Sequence, residues 1–167
     1  MKKYLLLPLF LSSLSFAITD FNGINWSDNK NNLNLIFKNL EEEISIDKNI
    51  SILSVQNPKE NIEKYQFFLK DNSLNKIRVI FDKKTIKKKE LQDIYLQLTT
   101  KIGAPVLKLP ILKNIGDLKV QGNALKFIPD TNTVIYFTGV DTIDKFDKMI
   151  DSNLYLDYIP SQTEYVF

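Results

Sequence analysis

Neither histidine nor cysteine occurs among the 167 residues. A Ser-His-Asp relay therefore has no proton carrier, a thiolate nucleophile has no source, and an ordinary structural zinc site lacks its ligands. The five glycines stand apart along the chain, so no glycine-rich loop is formed to cradle a phosphate. Hydrolysis by paired carboxylates, a Ser-Lys pair or a metal held by oxygen ligands remain open. No catalytic, cofactor-binding or metal-ligating residue is assigned from these types, and no cofactor is expected.

Three constellations carry chemistry by their spacing. Asp141, Asp144, Asp147 and Asp151 recur every three or four residues, the spacing of one helix face, and could offer oxygen ligands to calcium. Lys145 and Lys148 interleave with them and the glycine of a calcium loop is missing, so a solvated helix face is the expected reading. Lys83, Lys84, Lys87, Lys88 and Lys89 form the densest basic patch, with the charge to contact an anionic surface of lipid heads or cell-wall polymers. The alternative is an exposed, solvated loop. The terminal Tyr165-Val166-Phe167 resembles the closing strand of an outer-membrane barrel, and about eight spans of about ten residues would fit the length. Two amphipathic helix signals and long lysine-rich stretches argue against a barrel.

The elements that would hold these groups centre on residues 65–105. Tyr65, Phe67 and Leu69 alternate with Gln66, Phe68 and Lys70; Ile77, Val79 and Phe81 alternate with Lys76, Arg78 and Ile80. With Asp71-Asn72-Ser73 between them, the two runs predict an antiparallel hairpin with one apolar face. Leu91, Ile94, Tyr95, Leu98 and Ile102 then fall on one stripe of a helix over 88–102, with Thr85 as its N-cap, Gly103 at its end and Pro105 barring continuation. Leu33, Ile36, Phe37 and Leu40 predict an earlier helix capped by Ser27 or Asp28, and residues 50–55 a strand. Pro105 and Pro110 predict an irregular 104–117. Strands are expected at 124–128, 133–140 and 154–159, and a short helix around Ile143, Phe146, Met149 and Ile150. The expected fold is α+β: a mostly antiparallel sheet with two main helices packed on one face, in a pseudo-duplicated α-β-β-β arrangement.

The first residues have another purpose. Lys2 and Lys3, an apolar run from Tyr4 to Phe16, and the small-x-small Ser15-Phe16-Ala17 read as a signal peptide, residues 1–17, cleaved after Ala17. A single domain, 18–167, follows. Removing Lys2 and Lys3 from the 22 basic residues leaves 20 against 20 acidic, a neutral chain that gives nucleic acid no attraction. Without cysteine, an exported chain has no disulfides and depends on its core. Abundant Asn, Lys and Ile beside the lone Arg78 reads as an AT-rich bacterial coding bias.

Trp26 ahead of a polar helix, the aromatic hairpin and a helix closing on Lys101-Ile102-Gly103-Ala104-Pro105 together resemble small exported α+β proteins of bacterial envelopes, many of unknown function. The resemblance covers residues 24–105. The tryptophan-glycine step usual in such proteins is Trp26-Ser27 here, and the motifs are structural rather than catalytic. The expected function is a soluble binding or assembly module in the periplasm or outside the cell. Its partner would be another envelope protein, with membrane-surface contact at the lysine patch. The alternatives are a carboxylate-dependent enzyme acting on the cell wall, and an inhibitor or accessory of another exported protein.

Overall fold

The computed structural model describes Phe21 and residues 23–163. The signal segment, its cleavage point after Ala17 and the terminal Tyr165-Val166-Phe167 lie outside the described residues.

The fold is predominantly β, which corrects the α+β expectation. Among the described residues one eight-stranded antiparallel sheet dominates, and the two helices are only 7 and 15 residues long. Helix α1 (Lys30–Ile36) is capped by Asn29, whose side chain accepts from the amides of Asn31 and Asn32. Four strands follow it: β1 (Glu41–Glu43), β2 (Ile50–Lys59), β3 (Ile62–Lys70) and β4 (Ser73–Phe81). Helix α2 (Lys88–Ile102) leads to four more: β5 (Leu107–Ile115), β6 (Leu118–Phe127), β7 (Thr133–Ile143) and β8 (Met149–Pro160). Each helix thus precedes four strands, not three.

Local chemistry explains what differs from expectation. Pro110 lacks an amide, yet it is tolerated because β5 lies at the sheet edge, where one side of the strand needs no partner. The apolar residues at 143–150 build no helix. Asp144 folds its carboxylate back onto the amides of Phe146 and Lys148, and Asp147 takes φ +58°, so the chain turns tightly from β7 into β8. Glu41–Glu43, directly after the expected first helix, form a strand. At α2, Glu90 accepts from the Lys87 amide, so Lys87 and not Thr85 is the N-cap. Between β3 and β4, Asp71 and Asn72 both take positive φ, +51° and +62°, the turn whose twist matches paired strands.

The strand order is β1-β2-β3-β4-β8-β7-β6-β5. Each four-stranded half is a meander, and the halves meet where β4 pairs with β8 over residues 77–80 and 155–158. One face carries a register row of Leu53, Phe67, Ile77, Tyr158, Ile135 and Phe127, all buried. Leu33 of α1, Ile94 and Leu98 of α2, and Phe21 join this core. The helices add just these three fully buried side chains, so the core belongs mainly to the sheet. No helix among the described residues is long and apolar enough to cross a membrane.

Candidate functional site

Successive side chains of a strand point to opposite faces. The sheet therefore has a second face, and no described helix packs on it. Directly behind the core row runs another, Gln66, Arg78, Asp157, Tyr136 and Lys126, in register across β3, β4, β8, β7 and β6. At its middle, on the seam between the halves, Arg78 meets Asp157 through two parallel bonds: Nε to Oδ1 and Nη2 to Oδ2, each 2.7 Å. The fork geometry of guanidinium and carboxylate makes this the strongest class of ion pair. The Asp157 side chain is fully buried and Arg78 is 23% exposed.

Aromatic rings frame the pair. The Arg78 guanidinium lies 4.1 Å from the Tyr155 ring centre and 5.8 Å from that of Phe68. Lys76 Nζ stands 4.0 Å over Phe68. Burial, and then the neighbouring Arg78 charge, pull the Lys76 pKa below the ordinary lysine value, with Asp157 acting weakly the other way. Further along, Lys126 lies 6.0 Å from the Tyr136 ring centre, and burial raises the Tyr136 hydroxyl pKa. Thr138, beside Tyr155 in the register, is fully buried and its hydroxyl has no hydrogen-bond partner among the described residues.

At the outer end of this face Glu43 ties down the three-residue edge strand β1. Its carboxylate accepts from Lys64 Nζ at 3.0 Å and from Gln66 Nε2, both on β3, reaching across β2. Burial alone would raise the Glu43 pKa; hydrogen bonds from Lys64, Gln66 and Ser54 outweigh it and hold the carboxyl below its ordinary 4.5. A carboxylate whose folded pKa is depressed stabilises the fold above its unfolded pKa, and that contribution is lost as pH falls through the folded value. Acidification below about 4.5 should therefore release β1. Amide exchange of Glu41–Glu43, corrected for intrinsic rates, is expected to accelerate in that window for the native chain. In Glu43→Gln it should already be fast at neutral pH and change little.

The residues singled out by spacing are distributed differently. Asp141 lies in β7, Asp144 and Asp147 in the turn, and Asp151 in β8, so they share no helix face. Among the described residues no three acids gather as a metal site. The five lysines at 83–89 are exposed; Lys83 pairs with Asp151, and Lys83, Lys87 and Lys88 line a groove of about 380 Å³ between the start of α2 and the β7–β8 pair. The pairing of Arg78 with Asp157 has no local trace, because 79 residues separate them. A signal exists: an aspartate inside Tyr155-Leu156-Asp157-Tyr158-Ile159 demands a cation, and the chain has one arginine. Asp157 is held by Arg78 and Glu43 by Lys64. No protein-family model, curated protein or solved structure matches the chain.

Proposed function

We propose that this chain is an exported binding module of the bacterial envelope that docks an acidic protein surface on its helix-free sheet face. The basic start, apolar run and small-x-small step of residues 2–17 support export. The observation that carries the docking is Lys76. It is a half-buried amine wedged between Phe68 and Arg78, and it makes no ion pair among the described residues, since Arg78 already holds Asp157. Half-buried cations are costly unless a carboxylate meets them. Lys126, also half-buried and without an ion pair among the described residues, repeats the arrangement over Tyr136. Arginine and tyrosine, framed by cations, are the residues that dominate the buried centres of protein interfaces.

Carbodiimide joins an amine to a carboxylate only when the two touch, so it tests this contact directly. Applied to the chain in its host's envelope fraction, it is expected to link Lys76 or Lys126 to an aspartate or glutamate of one recurring protein. Lys76→Glu combined with Lys126→Glu should abolish that product, whereas Lys101→Glu, at the exposed end of α2, should leave it intact. Cross-links confined to other lysines, or a product that survives the double variant, would overturn the docking.

A further inference from the structure

The structure brings three connections to one end of the second half of the sheet. Lys145 Nζ of the β7–β8 turn lies 3.4 Å from Asp117 Oδ2 of the β5–β6 turn, and Lys83, between β4 and α2, is bonded to Asp151 at the start of β8. Exposed apolar side chains collect here: Phe146 at 79%, Met149 at 61%, Ile115 at 53% and Ile150 at 51%. Isolated exposed apolar residues are common, but several on adjoining turn tips form a patch that marks an interaction surface. Lys83 reaches Asp151 of β8, Lys83, Lys87 and Lys88 line the groove beside the β7–β8 pair, and Lys145 and Lys148 flank the turn itself.

The acids at this end are largely engaged. Asp117 and Asp151 pair with lysines, Asp144 holds turn amides, Asp82 accepts from the Lys84 amide and Glu90 from the Lys87 amide. Lys84, Lys87, Lys88 and Lys89 form no ion pair among the described residues. The groove between α2 and the β7–β8 pair repeats the pattern on a smaller scale. Lys83, Lys87 and Lys88 stand over an apolar floor that includes Ile86, Leu91 and Leu154, with Asp141 the one acid in its lining. Cationic groups set directly behind apolar ones match an amphiphile, whose charge and hydrocarbon lie in the same order.

We infer that this end is a docking surface for an anionic lipid bilayer: Phe146, Met149 and Ile150 enter the headgroup layer while the lysines of 83–89 meet lipid phosphates. The surface is separate from the helix-free face and stands or falls without it.

The test is co-sedimentation with vesicles of phosphatidylcholine, with and without phosphatidylglycerol. The native chain should pellet with the anionic vesicles and be released by high salt. Lys84→Gln with Lys88→Gln, both at exposed positions, should weaken binding roughly 30-fold, since each lysine near an anionic surface contributes about a fivefold factor. Phe146→Ser with Ile150→Ser should reduce pelleting as well. In Phe146→Trp, the indole emission should shift to the blue on anionic vesicles, over the constant background of Trp26. All comparisons are made within one chain, so residues 4–16 contribute equally to each. Failure to pellet with anionic vesicles, pelleting that the lysine and tip variants leave unchanged, or an indole that stays in water would each overturn the inference. The last outcome would assign the patch to a protein partner instead.

Discussion

Asp157→Ala is expected to destabilise the fold by about 3–5 kcal/mol, a large share of the total stability of an ordinary domain. The carboxylate is fully buried and faces Arg78 through two 2.7 Å bonds at the seam between the sheet halves. Removing it leaves a guanidinium with most of its surface out of water and without the carboxylate it forks onto. The residual 23% exposure of Arg78 admits some solvent, which places the effect toward the lower end of that range. A urea titration should show a lower midpoint with an unchanged slope, because the surface exposed on unfolding is the same. Replacing both partners, Arg78→Met with Asp157→Leu, should recover much of the loss, since the lost interaction and the desolvation it offset disappear together. A loss below about 1 kcal/mol for Asp157→Ala would mean that the pair behaves as an exposed one.

Phe67→Ala is expected to cost about 3–5 kcal/mol by opening a cavity in the middle of the core. Phe67 is fully buried, stands between Leu53 and Ile77 in the core row, and meets Phe21 edge-on at 6.2 Å and Phe37 at 4.9 Å. It therefore ties the residues flanking α1 to the sheet. Calorimetry should record a fall in Tm of roughly 10 °C. Its chain neighbour makes the sharper comparison. Phe68 points to the helix-free face and is half-buried, so Phe68→Ala should cost clearly less. Equal losses at the two positions would contradict the assignment of the faces.

Much of the first half was legible because its signals are local. Tyr65, Phe67, Leu69, Ile77, Val79 and Phe81 alternate along the chain and are buried together, as a period of two requires. The helix over 88–102 announced itself by its stripe and by Gly103, yet only Ile94 and Leu98 are fully buried. Leu91 and Tyr95 on the same stripe stay partly exposed because α2 rests on the sheet along one flank. The second half misled where local and long-range preferences disagree. Pro110 reads as a break until β5 is known to be an edge, and Ile143, Phe146, Met149 and Ile150 mimic helical spacing while lying around a turn.

By itself the sequence determined the buried side of the hairpin of β3 and β4, where α2 runs, and that the chain offers no histidine or cysteine. These properties depend on residue types and on neighbours a few positions apart. The tertiary structure alone decided that the second meander is laid against β4 by its last strand. That choice sets Asp157 on Arg78, leaves Lys76 and Lys126 on a face without a described helix, and gathers the lysines of 83–89 beside Phe146 and Met149. Pairing between strands 79 residues apart is set by the burial and backbone hydrogen bonds of the whole sheet, and no local pattern of side chains encodes it.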